Sequence, residues 1–176
     1  ISTVTEYVQK DPQLALYAEH MNMLMIENDS TLAEFKLSIS QKYKRHRPRL
    51  LILLGNPALL MRDEYRELWG DIPIVLCSEE NYLGPQETYT KKQAIATADR
   101  TPLTQLADPY NMVLLYSNLY LDENIQLICH IVPEIKKFIF IGDARQINQT
   151  NNLDIRNKLK KTHPNVEYQF ITPQDM

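Results

Sequence analysis

The feature that most constrains this chain is a set of short, almost unbroken apolar runs separated by helix-like patterns. Leu50-Leu51-Ile52-Leu53-Leu54 and Phe138-Ile139-Phe140-Ile141 contain no polar residue. Runs of this kind suit strands covered by helices on both faces, as in parallel sheets. Six segments read as strands: residues 14–18, 50–54, 74–77, 112–116, 137–141 and 166–171. Strands alternating with helices predict right-handed crossovers and a mostly parallel sheet. The expected fold class is α/β, with parallel-sheet α/β/α layers.

The intervening segments carry helix signals. Thr31-Leu32-Ala33-Glu34 reads as a capping box, in which a hydroxyl and a carboxylate exchange bonds with each other's amides. Leu32, Phe35, Ile39 and Tyr43 follow at helical spacing. Lys42, Lys44 and Arg45 suit the negative end of that helix, and Pro48 stops it. Asn56-Pro57 predicts a second helix, with Asn56 as N-cap and Pro57 at the first helical position, ending at Gly70. A third helix, capped near Asp122, carries Ile125, Ile128, Ile131 and Val132 and ends at Pro133. A fourth begins near Asn151 or Asn152, carries Ile155 and Leu159, and ends before Pro164.

Residues 78–110 have no convincing period. A stretch that long in a compact domain is usually functional or mobile. Residues 93–98 are expected to form a short helix within it. Its end is the expected lobe boundary, with a first lobe over residues 1–111 and the start of a second over 112–176. The chain begins with Ile1 and ends at Met176, just after a strand pattern, and reads as a piece of something longer whose second lobe is incomplete.

Composition removes several function classes. Of 176 residues 44% are hydrophobic, enough for a real core, and the net charge of −3 supplies no basic field for nucleic acid. No apolar run approaches the length of a membrane span. Only four glycines occur, and neither dinucleotide nor P-loop phosphate motifs are present. There is no GxSxG elbow and no HExxH. His20, His46, His130 and His163 lack metal-type neighbours, and Cys77 and Cys129 form no CxxC pair. Both cysteines read as buried, unpaired thiols. No cofactor and no metal are expected.

A phosphoacceptor receiver domain has similar length and pattern, but the fifth strand here leads into Gly142-Asp143-Ala144-Arg145, without the lysine that reading requires.

In open α/β sheets ligands sit beyond the carboxyl ends of the strands. Those ends carry Glu19 and Asn22, then Asn56, then Glu79, Asn81 and Tyr82, and finally Asp143 and Arg145. Amides, carboxylates and an aromatic ring form a set that binds a polar organic molecule, and Tyr82 offers a face for stacking. These eight are the candidate ligand-binding residues; turns and caps favour the same residue types without any ligand. No catalytic residue is expected. Glu79 and Glu80 are adjacent on an extended chain and point apart, which disfavours an acid/base pair.

Several runs carry a family resemblance. They are Leu16-Tyr17-Ala18-Glu19-His20-Met21-Asn22, Leu51-Ile52-Leu53-Leu54-Gly55-Asn56-Pro57-Ala58, residues 68–77 and residues 133–143. Their order resembles the N-terminal extracytoplasmic sensor region of bacterial hybrid two-component histidine kinases, related to ABC-type periplasmic substrate-binding proteins. The resemblance implies periplasmic-binding-protein-like lobes, a cleft at the strand ends, and signalling across an inner membrane through segments outside this chain. It implies a small polar molecule or a periplasmic binding partner, a homodimer and no enzyme activity in this segment.

The alternative is a protein–protein interaction or dimerisation module without a small-molecule ligand. Tyr82, Tyr89, Tyr110, Tyr116 and Tyr120 cluster around the long segment, and tyrosine is favoured at interfaces. A flavodoxin-like or hydrolase enzyme has only Glu79, Glu80 and Asp143 in its support.

Overall fold

A computed structural model describes residues 2–172. After a short helix α1 (Ser2–Gln9) and an irregular stretch, helix α2 (Asp29–Tyr43) leads into strand β1 (Leu51–Leu54). A 3-10 turn (Asn56–Met61) runs into helix α3 (Arg62–Trp69) and then strand β2 (Ile74–Ser78). The long segment holds strand β3 (Tyr82–Leu83), helix α4 (Gln86–Thr90), a 3-10 turn (Thr97–Asp99), strand β4 (Thr101–Pro102) and helix α5 (Thr104–Ala107). Strand β5 (Met112–Tyr116), helix α6 (Leu121–Ile131), strand β6 (Lys137–Ile141), helix α7 (Gln146–Thr162) and strand β7 (Glu167–Ile171) follow.

Two parallel sheets result, of order β1-β2-β5 and β6-β7, with β3 and β4 forming a small antiparallel pair. The α/β class and the parallel pairing agree with the sequence pattern. β5 pairs along its whole length with β2, so it completes the first sheet rather than opening a second lobe at residue 112. The change of sheet falls after Tyr116.

In the first sheet the strands advance in one direction. Right-handed crossovers then put every connection on one face. On that face Leu53, Ile74, Leu76 and Met112 pack against Leu32 and Ile39 of α2, Tyr65 and Trp69 of α3, and Leu83, Tyr89, Ile95 and Leu103 of the long crossover. Leu32, Leu59, Leu76 and Ile95 are completely buried. Each contributes roughly 1.5–3 kcal/mol by leaving water. Tyr65 stacks on Trp69 at 5.6 Å, and burial pushes its phenol up to about 12.

The opposite face is open. Ile52, Leu54, Val113 and Leu115 are exposed, so these strands are not covered on both sides as their apolar runs predict. The second sheet repeats the asymmetry. α6 and α7 bury Ile125, Ile155 and Leu159 against Phe138, Phe140 and Tyr168, while Ile139 and Ile141 are exposed.

Several local expectations need correction. Residues 14–18 form no strand, and Leu14, Leu16 and Tyr17 are exposed. The capping box of α2 lies one turn earlier than Thr31–Glu34. Asn28 Oδ1 accepts from the Thr31 amide and Thr31 Oγ1 accepts from the Asn28 amide. Asn56 is not an N-cap: Gly55 holds that position, at φ +86°, and no side chain caps the turn. The third helix has Tyr120 as N-cap, with Asp122 in its first turn paired to Lys158. α7 begins at Gln146, five residues before Asn151. Residues 93–98 do not form a helix of their own; a 3-10 turn covers Thr97–Asp99, and Ile95 is an anchor in the core. Gly70 does terminate α3, at φ +71°, where a Cβ would be strained. Cys77 and Cys129 are free and half-buried.

Candidate functional site

The carboxyl ends of β1, β2 and β5 open into a cleft of about 940 Å³. Each wall follows from a strand terminus. After β1, Gly55 turns the chain at positive φ while its amide still bonds Cys77 O at 2.8 Å. β2 ends in Ser78, followed by Glu79 and Glu80, and β5 ends in Tyr116, followed by Ser117, whose amide bonds Ser78 O at 2.9 Å. Asn22, Met23 and Leu24 approach from the segment before α2, and Tyr89 and Lys92 from the crossover. Arg145, Gln146 and Ile147, where α7 begins after β6, also line it.

Leu54, Leu114 and Leu115 make part of the lining apolar, and Asn22, Glu79, Lys92 and Arg145 supply polar groups. Lys92 Nζ bonds Leu24 O at 2.9 Å, and Arg145 Nε bonds Asp143 Oδ2 at 2.7 Å, which orients both cations. The volume falls within the range of about 300–1,000 Å³ usual for small-molecule sites, and an apolar lining with few polar groups is their usual composition.

Beneath the cleft is a buried polar network. Asn56, 2% exposed, donates from Nδ2 to Tyr82 O and Glu80 O, and Ser78 Oγ donates to Asn56 Oδ1. The Glu80 amide donates to Ser78 Oγ at 3.0 Å. Tyr82 Oη donates to Glu80 Oε1 at 2.8 Å. Burial pushes the Glu80 carboxyl above the usual carboxylate range, against the opposing pull of bonds from Tyr82 and Gln146. The Tyr82 phenol is pushed up chiefly by burial and by the neighbouring Glu80.

Four of the eight residues expected at the site line the cleft: Asn22, Asn56, Glu79 and Arg145. The other four lie outside its lining. Glu19 sits at the far end of α2, bonded to Lys42 Nζ and Tyr43 Oη; those bonds hold its carboxyl below the usual range. Asn81 is exposed, and its carbonyl accepts from the Leu103 amide. Tyr82 lies under the Arg100 guanidinium, at 4.5 Å from the ring centre, so its face is taken by a cation. Asp143 organises the start of α7: burial raises its carboxyl, but bonds from the Arg145 amide, Asn148 and the Arg145 side chain hold it below the usual range overall.

Glu79 is exposed and Glu80 buried, as expected for adjacent residues on an extended chain. Ser78, Lys92, Ser117 and Gln146 line the cleft although they are not among the eight. Ser78 closes β2, Ser117 follows β5 and Gln146 stands next to Arg145 after β6, so all three are open to the strand-end argument. Lys92 depends on tertiary placement. Among the described residues no group of three or more His, Cys, Asp or Glu side chains is arranged to hold a metal ion. Nor is any helix among them long and apolar enough to cross a membrane.

Comparison with family models, curated proteins and solved structures found no match to this chain.

Proposed function

We propose that this chain is the extracytoplasmic ligand-sensing region of a two-component sensor histidine kinase, with a periplasmic-binding-protein-like fold. Its ligand would be a small polar molecule taken into the cleft. The observation that carries this reading is the cleft's construction. It lies beyond the carboxyl ends of three parallel strands, where α/β sheets bind ligands, and the start of α7, the helix that joins the two strands of the second sheet, completes its lining. A ligand touching both walls has a different affinity for open and closed arrangements, which is what lets it shift a conformational equilibrium. The kinase, the membrane and the periplasmic setting rest on the family resemblance in the sequence.

Isothermal calorimetry with a panel of sugars and other polar solutes tests the reading. A saturable heat that weakens on Arg145→Ala or Asn22→Ala supports it. Silence across the panel from a well-folded full ectodomain counts against direct small-molecule sensing.

A second reading has its own support. The open sheet faces carry Ile52, Leu54, Val113, Leu115, Ile139 and Ile141, and contiguous exposed apolar surface marks interaction sites. On that reading the chain is a protein–protein interaction or dimerisation module. The tyrosine cluster supports it less than the sequence suggests: Tyr89 is buried in the core, and Tyr82 is engaged by Arg100. Light scattering across a concentration series decides the dimerisation arm: an unchanged monomer mass, insensitive to Val113→Lys, removes it.

A further inference from the structure

The long crossover of the first sheet meets α7 along one face of that helix. Gln146, Thr150 and Asp154 recur at four-residue spacing, which places them on a single stripe of the helix. A helix that packs by burial carries apolar residues on such a stripe. Here all three are polar, Gln146 and Thr150 are buried, and the long crossover engages each of them.

Gln146 Nε2 donates to Thr150 Oγ1 at 2.7 Å, and the Gln146 side chain opposes the upward shift of the Glu80 carboxyl. Thr150 Oγ1 accepts from the Ile95 amide at 3.0 Å. Arg100 Nη2 donates to both carboxylate oxygens of Asp154, at 2.7 and 2.9 Å, and to Ile95 O at 3.1 Å. The same guanidinium lies over Tyr82, whose hydroxyl returns to Glu80. The contacts form a continuous chain: Gln146, Thr150, Ile95, Arg100, Tyr82 and Glu80. Its crossover members hang from the first sheet's core through Ile95, and its α7 members belong to the second sheet.

We propose that Arg100 is a positioning residue that sets the width of the cleft. It fixes α7 against the crossover, and the first turn of α7 supplies Arg145, Gln146 and Ile147 to the cleft wall. Arginine suits the position because one planar group must stack on a ring, grip a carboxylate and reach a carbonyl, a combination that an ammonium does not reproduce. Removing either half of the largely buried pair leaves the other without its counter-charge. The seam therefore holds one spacing between the sheets and releases it when broken.

The proposal rests on the cleft reading above for the seam's role, but its test needs no ligand. Spin labels at Glu67→Cys on α3 and Lys160→Cys on α7, both exposed, report the spacing in a Cys77→Ser, Cys129→Ser background. Electron–electron resonance is expected to give one narrow distance distribution. Arg100→Met should broaden it ~2-fold or split it, as for a released shear contact, and Asp154→Asn should act in the same direction. Arg100→Lys should not restore the narrow distribution. A control pair at Glu34→Cys and Glu67→Cys, within the first sheet's own helices, should stay unchanged. Should Arg100→Met fail to fold by circular dichroism, the Asp154→Asn distribution decides between the outcomes. An unmoved Glu67–Lys160 distribution in the folded variants overturns the proposal. A silent calorimetric panel with a broadened distribution would defeat the ligand reading and leave the seam standing.

Discussion

Ser78 Oγ donates to Asn56 Oδ1, and that bond ties the end of β2 to the turn that leaves β1. Both residues are buried, and Asn56 also holds the carbonyls of Glu80 and Tyr82. Asn56→Ala removes three bonds at once, while Ser78 Oγ and Glu80 O keep their bond to each other at 2.7 Å. A loss of about 1–3 kcal/mol is expected, the cost of leaving a buried polar group short of a partner. Urea unfolding measures it, and an unchanged midpoint would show that the network carries no stability.

Glu80 gives the fold a pH dependence of definite sign. Its folded carboxyl holds its proton to higher pH than the same group in the unfolded chain. As pH rises from the ordinary glutamate value of about 4.3, the unfolded chain releases the proton first, so stability falls until the folded pKa is passed and is flat above it. Glu80→Gln should abolish this decline and raise the melting temperature at neutral pH relative to the parent. Glu19 and Asp143 are shifted the other way, and their stabilisation is lost only as pH falls through values below the ordinary carboxylate range. Melting curves of parent and variant across roughly pH 4 to 8 separate the two. Parallel curves would mean that Glu80 titrates as an ordinary carboxyl.

Four tyrosines whose phenols are raised chiefly by burial should resist ionisation in the folded chain. Tyr65 and Tyr168 are pushed up to about 12 by burial, and Tyr82 and Tyr89 rise further for the same first reason. These four should stay un-ionised near pH 10, the ordinary phenol value, and ionise together as alkali unfolds the chain. Their stabilising contribution is present below that value and is lost as pH climbs through the folded pKa values. Ultraviolet difference absorbance of the parent and of single Tyr→Phe variants reads this directly; ionisation of these four near pH 10 in the folded chain would contradict it.

Gly84 is held glycine by its neighbour. A Cβ there would lie 2.4 Å from Ile95 Cδ1 and 2.7 Å from Cγ1, and Ile95 is completely buried. Gly84→Ala should therefore cost about 1–3 kcal/mol by overpacking. A compensating Ile95→Val should recover part of it, measured by denaturant midpoints of the single and double variants.

What is legible in the sequence follows from which interactions are local. β5 and β6 match their predicted bounds because compact apolar runs mark strands well, even though one face of each is open. Residues 14–18 are likewise an apolar run but pair with no strand among the described residues, and a strand needs a partner for its backbone. The first five residues of α7 escape the pattern because they carry no apolar stripe; that face is held by hydrogen bonds instead. Asn56 reads as a cap because caps favour asparagine, yet its amide is spent on the crossover carbonyls 24 and 26 residues away. The site is half legible for a related reason. Strand ends identify Asn56, Glu79 and Arg145, whereas Asn22, expected after a strand at residues 14–18 that does not form, and Lys92 reach the cleft through long-range packing.

The pairing of β2 with β5 across the long crossover has a kinetic consequence. β1 and β2 join over one short helical connection, whereas the Ser78–Tyr116 pair waits for the whole crossover to be ordered. Loop closure of that length must be completed before its contacts stabilise anything, which slows folding. In the nascent chain the edge of β2 that β5 takes therefore has no partner strand until the whole crossover has been synthesised, and an unpaired edge is a template for a neighbouring chain.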